Sequence, residues 1–236
     1  MDISLDQLPP KIKDGCLLDS MVNLYFQTEF IQEVIEQTIE DKLNSFNEGT
    51  KFSKIPVIEK GEVVPGRTFF ANDVYRIMVE KDTLSFNIVK SYPTWNPYKD
   101  FIRVVIEPLL DKLVITRVDV RYMSHFGNIP LFDNIDGNIK LNHLQAFQGA
   151  RYSFQCNVTD EMPGRIPAVA TVNLTDRYQV APGQLESIID IAVASQVNMG
   201  VALDDVIRTL DFVHICEKHL FFTVISDDFY YQLKVD

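Results

Sequence analysis

Three acidic residues on predicted strands are the best candidates for catalytic chemistry in this chain. Asp19, Asp119 and Asp190 each stand among apolar residues, on separate strand-like segments. Carboxylates from separate elements can converge in three dimensions around a divalent metal ion, as a hydrolase or nuclease requires. A single aspartate on a strand is also typical of the solvated face of a sheet. The sequence therefore leaves two interpretations open, a dispersed carboxylate site and an ordinary polar face.

Two arginines flank Asp119 on the strand predicted from Val114 to Ser124. Arg117, Asp119 and Arg121 fall on one face of that strand, and same-face neighbours lie about 7 Å apart. Such a set is typical of a surface charge ladder, which contributes less than about 1 kcal/mol per pair. It also suits a face that binds an anion or a carboxylate, because the arginine fork matches both. We count these three residues, with the adjoining Tyr122, as candidate binding residues.

Other motifs that carry chemistry are missing or incomplete. His214 and Glu217 share a face of a predicted helix, but His219 lies about 140° from Glu217, and the H-E-x-x-H spacing is absent. No Walker loop, G-x-S-x-G or G-x-G-x-x-G motif is present. The paired acids Asp204-Asp205 and Asp227-Asp228 do not converge on a helix. We expect no catalytic motif built from residues at a short fixed spacing, no bound metal and no cofactor.

A segment dense in aromatic and proline residues joins a predicted hairpin to a predicted helix. Ser91-Tyr92-Pro93-Thr94-Trp95-Asn96-Pro97-Tyr98 contains the one tryptophan of the chain. We expect Asn96 to cap a helix from Tyr98 to Leu113, with Pro97 at its first position. We expect Pro108 to kink this helix or to end its regular part. The set Tyr92, Trp95 and Tyr98 forms either a lid packed over the hairpin or an exposed recognition surface, since tryptophan and tyrosine are frequent hot spots. These three aromatic residues are also candidate binding residues.

The elements that position these residues indicate an α+β protein with a mostly antiparallel sheet. Residues 1–128 have the order strand, helix, hairpin, helix, strand, which predicts a split β-α-β half of ferredoxin-like type. Residues 129–236 are predicted to add three antiparallel strands and a C-terminal helix, the two halves packing as one compact unit. The loop from Asn128 to Asn142 is the predicted boundary.

The predicted elements follow from hydrophobic periodicity and turn residues. The first helix carries Glu33, Glu36, Glu40 and Asp41 on its solvent side. In the first half we predict a strand at Leu17 to Gln27, a helix from Ile31 to Phe46 ended by Asn47-Glu48-Gly49, a strand at Ile55 to Glu59, a turn at Val64-Pro65-Gly66, a hairpin of Tyr75 to Val79 and Leu84 to Ile88, and the strand Val114 to Ser124. In the second half we predict strands at Arg151 to Val158, Val169 to Thr175 and Leu185 to Ser195, joined by turns at Met162-Pro163-Gly164 and Ala181-Pro182-Gly183. A helix from Leu203 to Leu220 and a short closing element from Phe221 to Leu233 follow.

Composition limits the class of protein. The 236 residues suffice for one large domain or two small ones, and 46% hydrophobic with 23% charged residues is typical of soluble globular proteins. The net charge of −11 argues against general affinity for nucleic acid. No apolar run approaches the ~20 residues of a membrane helix, and the acidic N-terminus lacks a signal-peptide pattern, so we expect a cytoplasmic protein. Three distant cysteines predict neither a disulfide framework nor a zinc site.

Several motifs together resemble a known family. They are Tyr92-Pro93-x-Trp95-x-x-Tyr98-x-x-Phe101, then Arg117-Val118-x-Val120-Arg121-Tyr122, and a closing set of Asp211, His214, Phe221 or Phe222, Ile225, Ser226 and Asp227. With the opening strand up to Phe26, they are similar to a sporadically distributed bacterial family of unknown function. Ser124 stands where that family often has asparagine. The resemblance implies a bacterial origin and a patchy distribution typical of mobile or defence-linked genes, and it implies no activity.

Three hypotheses for function remain open at this point. The leading one is a non-catalytic protein-recognition or regulatory component of an anti-phage defence or toxin-control operon. Its partner would be another protein, including a second copy of this chain, and neither nucleic acid nor a membrane. The first alternative is a metal-dependent hydrolase or nuclease with the dispersed carboxylates. The second alternative is a sensor that holds a small anionic ligand with Arg117 and Arg121.

Overall fold

The computed structural model describes residues 12, 16–45, 51–90, 92–135, 151–158, 168–197 and 202–233. The strands are β1 (Leu17–Gln27), β2 (Ser53–Glu59), β3 (Glu62–Ala71), β4 (Tyr75–Val79), β5 (Thr83–Ile88), β6 (Val114–His125), β7 (Arg151–Val158), β8 (Ala168–Ala181) and β9 (Gln184–Gln196). The helices are α1 (Gln32–Ser45), α2 (Trp95–Ile106), α3 (Leu203–Val224) and α4 (Asp227–Leu233), with short 3₁₀ helices at Glu107–Leu109 and Leu131–Asp133.

The strands form one sheet in the order β2-β3-β4-β5-β1-β6-β9-β8-β7. The pairs β1–β5, β2–β3, β3–β4, β4–β5 and β7–β8 are antiparallel. Within this order, β4-β5-β1-β6 with α1 after β1 and α2 after β5 is the arrangement of a split β-α-β fold. The predicted α+β class with a mostly antiparallel sheet is therefore confirmed.

The chain divides into two compact units that each draw on separate segments. Unit 1 comprises Met1–Ser20, Val120–Ala194 and Phe212–Asp236, and unit 2 comprises Met21–Asp119 and Ser195–Asp211. The division into halves at residues 128 and 129 stays a prediction.

In unit 2, α2 packs its apolar side against the hairpin of β4 and β5. Its buried residues, Tyr98, Phe101, Ile102, Val105 and Ile106, recur at three and four as an amphipathic helix requires. The Phe101 ring stacks on Tyr75 with 4.0 Å between centroids and meets Phe86 edge-on. This aromatic core fixes the start of α2 close to the end of β5.

In unit 1, burial alternates along the strands and distinguishes two sides. Along β8, the residues Ala170, Val172 and Leu174 are buried, whereas the residues between them are partly exposed. The buried side of this unit's strands contacts the helices, as the ring of Tyr122 does with His214 on α3. The other side, which includes Met123 and Asn173, is called here the open face of unit 1.

The predicted start and end of helix α2 differ from those observed. Helix α2 begins at Trp95 after Thr94, which has φ 92°, so Asn96 is not the cap. Pro97 is still tolerated because the first-turn N–H groups have no partner within the helix. The helix does not continue to Leu113: its regular part ends at Ile106, before a 3₁₀ helix that contains Pro108. The expectation that this proline ends the regular part is confirmed.

The turn predicted at Val64-Pro65-Gly66 instead lies inside β3. Chain reversal occurs at Lys60 and Gly61, both of which have positive φ, as a hairpin turn of type I′ requires. Gly66 has φ 73° beside a register shift between Pro56 and Ile58, so the proline–glycine signal marks an irregular strand.

Glu36 is buried and does not face solvent as predicted. Its carboxylate accepts a hydrogen bond from Gln32 and forms an ion pair with Lys54 at 3.0 Å, and these two contacts explain how the buried charge is tolerated.

The predicted closing element divides between the end of α3 and the separate helix α4. The predictions at Asn47-Glu48-Gly49, Ser91, Met162-Pro163-Gly164 and residues 136–142 of the loop lie outside the described residues.

Candidate functional site

The aromatic segment of unit 2 is anchored by specific contacts. The buried Tyr98 hydroxyl donates to the carbonyl oxygen of Phe86 over 2.6 Å. The indole Nε1 of Trp95 donates to Oδ1 of Asp211 over 2.6 Å, and Lys99 Nζ contacts both oxygens of that carboxylate. Tyr92 meets the ring of Tyr98 edge-on. These contacts leave the Tyr98 ring without a solvent-facing surface, whereas Tyr92 and Trp95 are half-buried.

Arg117 and Asp119, also in unit 2, form a closed pair on β6. Arg117 Nε and Nη2 donate to the two carboxylate oxygens of Asp119 over 2.8 and 2.9 Å, and the guanidinium lies 4.7 Å above the Tyr25 ring. Burial raises the pKa of the Asp119 carboxyl, while Arg117 and a hydrogen bond with Tyr25 oppose that rise. Burial, and then the charge of Asp119, raises the pKa of Tyr25. Two donor groups of Arg117, Nε and Nη2, are thus engaged by Asp119.

Arg121, in unit 1, pairs with Asp190 on the neighbouring strand β9. Its Nε and Nη2 donate to the two oxygens of Asp190 over 2.7 and 2.8 Å, and Asn173 Nδ2 donates to one of them over 3.2 Å. The hydrogen bond to Asp190 is the main cause of a raised pKa of Arg121, and the charge of Asp19 adds to it. Asp119 therefore pairs with Arg117 and not with both of the arginines that flank it, because Arg121 directs its two donors at Asp190 on the adjacent strand.

The remaining predicted residues are dispersed over unit 1. Tyr122 is buried against the ring of His214. His219 is exposed, whereas Glu217 is buried, and burial raises its pKa well above the ordinary value. Among the described residues, no group of three or more histidine, cysteine, aspartate or glutamate side chains is placed to hold a metal ion.

A cleft of about 400 Å³ opens on the open face of unit 1, between strands β6, β9, β8 and β7. It is named here the β6–β9 cleft. Its polar lining consists of Arg151, Ser153, Asn173, Thr175 and Asp190, and its apolar lining includes Met123, Tyr178 and Ile188. This volume lies at the lower end of the range of small-molecule sites. The cleft combines a cation, hydroxyl groups and an apolar patch.

A strained residue places Tyr178 in this cleft. Arg177 has φ 42°, which is uncommon for a residue with a side chain. Strict alternation would place Tyr178 on the opposite side from Thr175, yet both line the cleft, so the chain is irregular between them. The backbone N–H of Arg177 donates to Oγ of the fully buried Ser187 over 2.9 Å, and Ser187 donates to the carbonyl of Ile129. The irregularity is therefore held by a defined pair of hydrogen bonds.

Arg151 supplies the positive charge of the cleft. Its guanidinium lies 5.4 Å from the centroid of the Tyr178 ring, within the range of a cation–π contact. No described acidic side chain lies within ion-pair distance of it, in contrast to Arg117 and Arg121. Its cross-strand neighbour is Thr175, and the next pair on that face is Ser153 with Asn173. The described cross-strand neighbours of Arg151 on this face are neutral hydrogen-bonding groups, and the acid that lines the cleft, Asp190, pairs with Arg121.

Sequence reasoning missed Arg151 and Tyr178. The alternation of β7 was visible and places Arg151 and Ser153 on one face. No sequence signal marks the irregularity at Arg177, because glycine or asparagine would be the usual residue at positive φ. The order in which four strands come together was also beyond the sequence.

No protein-family model matches this chain, and no curated protein matches it. In the described part of the chain, no helix has both the length and the apolar character needed to cross a membrane.

Proposed function

We propose that this protein is a non-catalytic sensor that binds a small anionic ligand in the β6–β9 cleft of unit 1. The observation that carries the proposal is Arg151, a cation in a cleft of about 400 Å³ with no described acidic partner. A protein with this site would act as a regulatory component whose ligand occupancy is sensed by another protein.

The proposal keeps the sensor hypothesis but changes the residue that holds the anion. Arg117 and Arg121 each direct two donors at an aspartate of the protein itself. A ligand would have to compete with those bidentate pairs, which are among the stronger hydrogen bonds in proteins. Arg151 has no such competitor among the described residues, so it is the better anchor.

Contacts within the protein count against the two other hypotheses. Asp119 and Asp190 are both neutralised by an arginine, which lowers their value as ligands of a divalent metal. The aromatic set proposed as a recognition surface uses Tyr98 in the core and Trp95 in a hydrogen bond to Asp211. Neither observation favours a second candidate function over the cleft.

Filling the cleft tests the proposal. Ser153 lines it, and Ser153→Trp places an indole in the space that a ligand would occupy. Gln155→Trp is the matched control, since Gln155 is an exposed residue two positions along the same strand. A library of small organic acids and neutral fragments would be screened by ligand-observed NMR against the two variants and the unmodified protein.

We expect compounds that bind the unmodified protein and Gln155→Trp to lose binding in Ser153→Trp. Circular dichroism and melting curves would establish that both variants are folded. Compounds that bind all three proteins equally would place the ligand site elsewhere. A library with no binder to the unmodified protein would reject the sensor function.

A further inference from the structure

Among the described lining residues of the cleft, one charged side chain has no partner of opposite charge. Asp190 lines the cleft, but Arg121 binds both of its oxygens, so that pair carries no net charge. Arg151 contributes one positive charge that no described acidic side chain balances. A dianion such as a phosphate monoester would bring one charge more than the cleft can balance, within a chain whose net charge is −11.

The contact of Arg151 with Tyr178 leaves hydrogen-bond donors of the guanidinium available. Arg151 Cζ lies 5.4 Å from the centroid of the Tyr178 ring, a cation–π contact that uses none of the N–H groups as hydrogen-bond donors. Two parallel N–H groups match the two oxygens of a carboxylate. The contact also restricts the side chain before binding, which lowers the entropy lost when the ligand is captured.

The surroundings of Arg151 indicate the rest of the ligand. Thr175 and Ser153 offer hydroxyl groups on the strands that carry or face Arg151. Met123 and Ile188 provide an apolar area in the same cleft. A ligand that fits both parts has an acidic head and an apolar body.

We infer that the β6–β9 cleft binds a small monocarboxylate with an apolar or aromatic body, its carboxylate paired with Arg151 and its body placed against Met123, Tyr178 and Ile188. This inference rests on the proposed sensor function and adds the chemical class of the ligand.

Three probes that share a phenyl group separate the alternatives: 3-phenylpropionate, its uncharged amide, and phenyl phosphate. Binding of each probe to the 236-residue chain would be measured by calorimetry and ligand-observed NMR. The variants are Arg151→Gln, which removes the charge but keeps hydrogen-bonding capacity, and Arg208→Gln as a control. Arg208 is an exposed arginine of unit 2 that pairs with Asp205.

We expect 3-phenylpropionate to bind more tightly than the other two probes, and Arg151→Gln to weaken it by about ten-fold or more, the effect of losing a charged hydrogen bond. Arg208→Gln should leave its affinity unchanged. Tighter binding of phenyl phosphate, or equal binding of the amide, would overturn the monocarboxylate inference while leaving a ligand site in the cleft. Binding of 3-phenylpropionate that persists in Arg151→Gln would overturn it as well. If none of the probes binds, the inference is rejected, and the fragment screen with Ser153→Trp decides the sensor function separately.

Discussion

The indole Nε1 of Trp95 donates a hydrogen bond to Oδ1 of Asp211, a residue 116 positions later in the chain, over 2.6 Å. Lys99 contacts the same carboxylate at 2.9 and 3.0 Å, so one acid holds the first turn of α2 through two side chains. This contact gives the aromatic segment a structural role within unit 2. It also links two of the motifs on which the family resemblance depends.

Removing the carboxylate should therefore destabilise unit 2. We expect Asp211→Ala to lower the free energy of unfolding by about 1–3 kcal/mol, because a partly buried indole N–H and an ammonium group lose their acceptor. Asp211→Asn should cost less, since its amide oxygen can still accept from Trp95. Urea unfolding followed by circular dichroism measures both, and the emission of the single tryptophan reports on its surroundings.

The matched control is Asp204→Ala, on the same helix, which removes an ion pair with Arg103. The side chain of Asp204 is 73% exposed, and exposed pairs contribute at most about 1 kcal/mol. Equal stability of Asp211→Ala and Asp204→Ala, with unchanged tryptophan emission, would contradict an anchoring role for Asp211.

The pair of Arg121 and Asp190 should show energetic coupling. Asp190 is nearly buried while the Arg121 side chain is 40% exposed, so we expect a coupling of about 1 kcal/mol after solvent screening. A double-mutant cycle measures this coupling. It compares the free energy of unfolding in urea of Arg121→Met, Asp190→Leu, the double variant and the unmodified protein. Arg121→Met alone should cost more than the double variant, because it leaves the Asp190 carboxylate buried without its main partner.

A second double-mutant cycle, on an exposed ion pair, serves as the control for the first. Lys90 and Asp73 are separated by 3.7 Å and both side chains are more than half exposed, so their coupling should be close to zero. If the two cycles give the same coupling energy, Arg121 does not balance the charge of Asp190, and the charge assignment of the β6–β9 cleft fails.

Local patterns were sufficient to predict most of the elements. Strand β1 was predicted at its observed ends, because Val22, Leu24 and Phe26 alternate with polar residues. The hairpin of β4 and β5 was also predicted from its alternation and is confirmed by its register. The start of α2 was misplaced because asparagine followed by proline is a common capping signal, and here the aromatic contacts of Trp95 and Tyr98 set the boundary instead.

The site depended on information that no local pattern contains. The partner of Arg121 is 69 positions away, on a strand whose place beside β6 is set by the assembly of the sheet. The position of Tyr178 depends on positive φ at Arg177 and on the hydrogen bond that the Arg177 backbone N–H donates to the buried Ser187. Whether an arginine is paired with an acid depends on the order of the strands and on side-chain geometry. The sequence alone therefore could not show that Arg121 pairs with an aspartate while Arg151 has no described acidic partner.

Glu217 supplies a test of stability against pH. Its side chain is buried on α3, and burial raises its pKa well above the ordinary value of 4.5. The folded protein therefore holds this proton more tightly than the unfolded chain does. Stability is greatest below the unfolded pKa and is lost as the pH rises toward the folded pKa, because deprotonation then places a charge in an apolar environment.

We expect Glu217→Gln to remove the loss of stability that accompanies deprotonation of Glu217 as the pH rises. Between about pH 5 and about pH 8, the free energy of unfolding should fall less in the variant than in the unmodified protein. The variant should match the unmodified protein near the acidic end and exceed it by about 1 kcal/mol or more at the alkaline end, since the amide carries no charge. Urea unfolding at four pH values measures the difference, with Glu62→Gln, an exposed glutamate of β3, as the control. A constant offset between Glu217→Gln and the unmodified protein at all pH values would show that Glu217 does not change its protonation state on folding, because linkage requires the difference to vary with pH.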